Sequence, residues 1–168
     1  NFRNESRVLK QQFVESRKNL IKNEVEKAID YIEYSRSLTE IRLKNDIRSR
    51  VNEAHAIATN LYNEHRVEKS DAEIIKIITD ALRPVRFNLE RGYYFAADFN
   101  GVVQLQAAVP GMEGKNIMET RDVEGRSVVR DMIRLVREKH QGFYRYNWPK
   151  PDAPDKEFPK IAFVRHFE

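Results

Sequence analysis

The chain has 168 residues, enough for one domain with a compact core and too few for two of ordinary size. Apolar residues make up 40% and charged residues 33%, and no apolar run approaches the roughly 18–20 residues a spanning helix requires, so the composition excludes an embedded segment. The net charge of +4 comes from 30 Lys and Arg against 26 Asp and Glu that interleave along the chain, the pattern of solvated helix faces and not the basic stripe of a nucleic-acid binder. Cysteine is absent, which removes disulfides and thiolate zinc sites.

The first third reads as helix. From Glu5 to Asn63 there is neither Gly nor Pro, and apolar residues recur three or four apart at Leu9, Phe13, Leu20, Val25, Ile29 and Ile32. A second row, Ile47, Val51, Ala54, Ala58 and Leu61, has heptad spacing. Between the rows Tyr34, Ser35, Ser37 and Thr39 dilute the stripe, and a break or bend is expected there. The apolar face either packs on its own domain or forms a dimer seam that carries a signal. Ser70-Asp71-Ala72-Glu73 is a capping box that opens a second helix through Leu82, which Pro84 ends. The organisation expected is therefore a helical entry over residues 1–69 followed by a second region over 70–168.

At Arg91 the period changes. Tyr93 to Ala97 reads as a strand, Asn100-Gly101 as a two-residue hairpin turn, and Val102 to Ala107 as the partner strand. Pro110, Gly111 and Gly114 punctuate a loop. A third helix is expected over Arg126 to Lys139, stopped by Gly142. Phe143 to Trp148 alternates aromatic and polar residues as a strand does, four prolines from Pro149 to Pro159 suggest an exposed loop, and Ile161 to Phe167 is a last strand. Helices on one side of an antiparallel sheet make an α+β layer arrangement.

No catalytic constellation emerges. His55, His65, His140 and His166 lack metal-ligand spacing, and Gly111 and Gly114 do not lie in a strand-to-helix phosphate loop. The chain is read as a non-enzyme without cofactor or metal.

Six segments in order resemble a Cache domain of the single-Cache type, the PAS-like extracellular sensor of bacterial chemoreceptors and sensor histidine kinases. They are 91–95, 98–101, 110–116, 122–126, 142–151 and 158–161, spread over most of residues 70–168. Two departures stand out. Gln106-Ala107 occupies the place of a His-Pro pair frequent in the family, and the chain ends at Glu168 before a family strand that carries Trp and a Gly-Thr-Gly run, so the sheet is expected to be incomplete. The chain opens on Asn1-Phe2-Arg3 without an initiator Met and reads as a fragment.

The resemblance implies a long N-terminal helix and a second helix packed on a PAS-like antiparallel sheet, with a small molecule bound between the sheet and the loops over it. Such a site is an apolar box with a few fixed polar groups. Alternation places Tyr144, Tyr146 and Trp148 on one strand face and Tyr93 and Phe95 on another; the rings equally suit a sheet core. Gln106 supplies a donor and an acceptor, and Arg126 and Lys160 supply charge for a carboxylate. The function implied is an extracytoplasmic sensor of a small organic acid or amino acid within a membrane-anchored receptor, a histidine kinase or methyl-accepting chemotaxis protein, with homodimerisation through the long helix. The alternatives are a ligand-free helical dimerisation module and a soluble cytoplasmic PAS-type regulator.

Overall fold

The computed structural model describes residues 2–150 and 153–167. The elements run α1 (Phe2–His65), α2 (Asp71–Leu82), β1 (Phe95–Ala97), β2 (Val103–Gln106), a 3-10 turn (Pro110–Met112), α3 (Val128–Lys139), β3 (Gln141–Lys150) and β4 (Ala153–Arg165). The chain divides into two compact units, Asn1–Asn45 and Asp46–Glu168, so the boundary falls inside the segment 1–69 read as helical entry.

The first unit is helix alone. The interruption anticipated between Tyr34 and Thr39 does not occur: α1 is helical throughout. Thr39 returns its hydroxyl to the Ser35 carbonyl at 2.9 Å, which satisfies the polar side chain within the helix instead of against it.

Burial begins in the second unit. Ile47, Ala54 and Ala58 are buried, so the second apolar row of α1 serves its own domain. The capping box forms as expected, with Ser70 N donating to Glu73 Oε2 at 2.9 Å and Glu73 N to Ser70 Oγ at 3.4 Å, and Ile74 and Leu82 project inward from the helix it starts. Ala54, Leu82, Tyr94, Leu105 and Ala107 form one core cluster, flanked by Ile78, Val85, Phe87 and Tyr93. Tyr94, buried in it, donates its hydroxyl to the Arg50 carbonyl of α1 at 2.9 Å.

Several boundaries differ from the sequence reading. β1 starts at Phe95 and not at Tyr93, because a separate bridge between Phe87 and Gly92 holds the preceding residues. The β1–β2 connection is longer than a two-residue turn. Asp98 Oδ1 accepts from Asn100 N and Val102 N, both at 2.9 Å, and Gly101 N donates to Asp98 O at 3.0 Å, so Asp98 builds the turn and only Gly101 takes positive φ, at 84°. A Cβ at Gly101 would lie 2.8 Å from Met118 Cβ, so the turn and the 116–118 segment meet closely. α3 starts at Val128 and ends at His140 in the left-handed conformation; Gly142 already belongs to β3, where its missing side chain leaves room for Leu135. The proline-rich stretch is largely paired, with Asn147 opposite Pro159, Trp148 opposite Phe158 and Pro149 opposite Glu157, and the register slips at Pro149/Lys150. Pro149 and Pro159 each remove one ladder donor but keep an extended backbone, which an outer strand tolerates. Pro151, part of one resembling segment, lies outside the described residues.

The strands form two antiparallel pairs, β1–β2 and β3–β4, instead of one hydrogen-bonded sheet. Side chains join them: Phe95 of β1 packs with residues of the β3–β4 hairpin.

Candidate ligand-binding site

Strand alternation on β3 turns Tyr144, Tyr146 and Trp148 to one face. They meet Val128 and Met132 of α3, Ala162 and Val164 of β4, and Phe95 of β1 in the second cluster. The rings of Tyr144 and Tyr146 are stacked at 6.2 Å between centroids, and those of Tyr146 and Trp148 meet edge to face at 6.2 Å. Tyr146 is buried, and that burial pushes its phenol well above the ordinary range.

Lys160 sits directly across from Tyr146 in the β3–β4 register. Its ammonium donates to the Tyr93 hydroxyl at 3.1 Å and to the Pro149 carbonyl at 3.0 Å, and lies 5.3 Å from the Tyr93 ring centroid. Both hydrogen-bond partners are neutral, and among the described residues no carboxylate pairs with it. Burial, aided by the charge of Lys150, lowers the Lys160 pKa, and burial raises that of Tyr93. Gln106 lies opposite Phe95 in the β1–β2 register; its backbone N donates to Glu113 Oε1 at 2.9 Å, and its Oε1 accepts from Ala108 N at 3.4 Å. Glu113 is ion-paired to Arg83, so the end of β2 is anchored to the close of α2.

Arg126 is held differently from the charge donor read in the sequence. Its Nε donates to Asp122 Oδ2 at 2.7 Å and its guanidinium pairs with Glu124 at 3.0 Å, so two carboxylates already occupy it. Tyr93 and Phe95 also separate: Tyr93, outside β1, flanks the first cluster, whereas Phe95 joins the second.

Two carboxylates that matter here escaped the sequence reading. Asp122 has a fully buried side chain that accepts from Asn147 N at 3.0 Å, Arg126 N at 2.9 Å and Glu124 N at 3.0 Å. Burial opposes its ionisation, but these donors and the Arg126 guanidinium outweigh it and hold the pKa at about 2. It therefore clamps the 122–126 loop onto β3 between Tyr146 and Trp148. Asp131 of α3 accepts from the Tyr144 hydroxyl at 2.7 Å. The Asp-x-x-Gly spacing of Asp122 and Gly125 is a turn signal that points to the first; no local pattern marks the second.

Among the described residues no cluster fit for a metal ion occurs. His55 Nε2 donates to the His166 carbonyl at 3.1 Å, a structural contact between α1 and the segment after β4.

A helix-backed pair of antiparallel hairpins with an aromatic inner face defines a PAS-like α+β domain. The chain belongs to the Cache domain family: the family model dCache_2, a Cache domain, matches residues 1–168. Over 87 residues, 52% of this chain, it is 25% identical to the methyl-accepting chemotaxis protein McpP of Pseudomonas putida, and that match spans 16% of the receptor's length. Among solved structures it resembles the periplasmic sensor domain of a chemotaxis protein at 27% identity and TM-score 0.68, covering 73% of this chain and 85% of that one. It also resembles a methyl-accepting chemotaxis protein from Vibrio parahaemolyticus at 25% identity and TM-score 0.63, covering 75% and 80%. A Cache chemosensory domain described for its carboxylic acid recognition shares the fold at 23% identity and TM-score 0.69, covering 74% and 84%.

Proposed function

We propose that this Cache domain is the extracytoplasmic sensor of a membrane-anchored receptor and binds a small carboxylate, a short organic acid or an amino acid, where Lys160 meets Tyr93, Tyr146 and Trp148. One observation carries the reading. Among the described residues, Lys160 holds a half-buried positive charge against the Tyr93 ring with neutral oxygens for partners. Desolvating a charge without a counter-ion is costly, and a ligand carboxylate relieves that cost. In this reading Tyr93 and Tyr146 offer hydroxyls and Trp148, edge to face with Tyr146, a ring wall. Arg126 acts through the loop it ties to Asp122 instead of by direct contact. The carboxylic acid recognition described for one structural neighbour agrees with this ligand class.

A thermal-shift panel of short monocarboxylates, dicarboxylates, amino acids and amines tests the reading. A carboxylate at 100 times its dissociation constant adds about 2.7 kcal/mol of stability, and amines of the same size add none. Equal shifts from amines, or no shift from any acid, overturns the assignment.

A second reading concerns the first unit. Leu9, Phe13, Leu20, Val25, Ile29 and Ile32 of α1 are all about half exposed or more. Apolar rows of this kind favour helix pairing with a second copy, the dimeric arrangement anticipated from sequence. Light scattering that returns only the 19.9 kDa monomer at every concentration contradicts it.

A further inference from the structure

The outer face of α3 carries a groove that the carboxylate site does not use. Arg130, Ile133, Arg134 and Arg137 recur at helical spacing along one side of α3. Across from them stand Phe99, in the β1–β2 turn, and Met118, and together they line a cavity of about 360 Å³. The far wall is fixed by the backbone and the Asn116 amide: Ile117 N donates to Gly101 O at 2.9 Å, Asn116 Nδ2 to Asn100 O at 2.9 Å, and Met118 N to Asn116 Oδ1 at 3.0 Å. Arg130 bridges to Glu119, which ties α3 to that wall.

The lining combines an apolar floor of Phe99, Met118 and Ile133 with three guanidiniums and a single carboxylate, Glu138. Arg137 lies 5.1 Å from the Phe99 ring centroid, and among the described residues no carboxylate pairs with it. Among the described residues Arg134 pairs with Asp131 of its own helix, at 2.8 Å, and is largely exposed. Glu119 and Asp131 already neutralise Arg130 and Arg134, so Arg137, over the Phe99 ring, is the guanidinium left to meet an anion. A cavity of this size with an apolar floor accepts one small anion with an apolar body.

We propose that this groove is a second ligand site, distinct from the Lys160 site, for a monoanionic organic acid with an aromatic or compact apolar body. The carboxylate engages Arg137, with Arg134 beside it on the same rim, while the body rests on Met118, Ile133 and Phe99. Glu138 faces the same space and selects against dianions. The groove stands on its own geometry and does not depend on the Lys160 assignment.

The test is a two-dimensional amide NMR titration of the chain with benzoate, alongside benzylamine and acetate, in the wild type, the Arg134→Gln/Arg137→Gln variant and Lys160→Met. Benzoate is expected to shift Phe99, Met118, Ile133 and Arg137 saturably, more strongly than acetate, with benzylamine silent. The double arginine variant weakens that binding at least fivefold with its spectrum otherwise preserved, and Lys160→Met leaves it unchanged. The proposal fails if benzoate does not perturb these residues, if benzylamine perturbs them equally, if the double variant binds as tightly as the wild type, or if Lys160→Met abolishes the shifts.

Discussion

The hydroxyl of Tyr144 donates to Asp131 Oδ2 at 2.7 Å and so joins the middle of β3 to the first turn of α3. Burial first, and then this bond and the Asp131 charge, push the Tyr144 pKa up to about 12. The folded phenol is thus harder to ionise than the unfolded one. Its contribution to stability is complete below the ordinary value of 10.0 and is lost as pH rises from there towards about 12. In Asp131→Asn the ultraviolet titration of Tyr144 moves down towards 10, because the Asp131 charge is removed and its hydrogen bond weakens. An unchanged titration would show that burial alone sets the value.

Asp122 predicts the acid limit of the domain. Its folded pKa lies at about 2 against 3.8 when unperturbed, so its stabilising contribution is present above about pH 4 and disappears as pH falls towards 2. Asp122→Ala leaves Asn147 N without its acceptor and takes one of two carboxylates from the Arg126 guanidinium, and costs about 2–4 kcal/mol in denaturant unfolding at neutral pH. The variant also loses the part of the pH dependence between 4 and 2 that Asp122 supplies. A variant as stable as the wild type at pH 7 is incompatible with the clamp described for the 122–126 loop.

Local and long-range contacts in the helical layer separate by size. Ser70→Ala removes one half of the capping box and costs about 1 kcal/mol. Tyr94→Phe removes the bond to the Arg50 carbonyl and costs about 0.5–1.5 kcal/mol. Leu105→Ala empties a fully buried position and costs about 2–5 kcal/mol. The order Leu105, then the other two, is the outcome to check by urea titration; a Leu105→Ala loss below that of Ser70→Ala contradicts the core assignment.

What the sequence discloses follows the range of the forces that decide each feature. The capping box at Ser70 and Glu73, the helical row through Ile47, Ala54 and Ala58, and the alternation of Tyr144, Tyr146 and Trp148 are set within a few residues and are legible. The α+β class and the family follow from such signals taken in order. The helix end at His140, the turn built by Asp98 and the pairing of the proline-rich stretch depend on partners further along the chain. The contrast between Arg126 and Lys160 is the sharpest case. Both read as free cations in the sequence, and only folding brings Asp122 to one and leaves the other with neutral oxygens.

Lys160 also gives a pH signature. Its folded pKa is lowered, by burial first and then by Lys150, so the unfolded chain holds the proton more tightly. In the ligand-free protein, stability therefore rises with pH through the interval between the lowered value and the ordinary 10.5. Carboxylate affinity does the opposite over the same interval, since it needs the ammonium. Calorimetric titrations at rising pH should weaken before pH 10.5; constant affinity up to that pH separates Lys160 from the ligand.

The most direct test of the carboxylate site is calorimetric binding of the best acid from the thermal panel to the wild type and to Lys160→Met, with denaturant stability measured on both. Loss of a charge-assisted hydrogen bond corresponds to about 10- to 100-fold weaker binding. The predicted result is that loss, together with stability equal to or above the wild type, because an unpaired half-buried charge has been removed. Undiminished affinity in Lys160→Met contradicts the site.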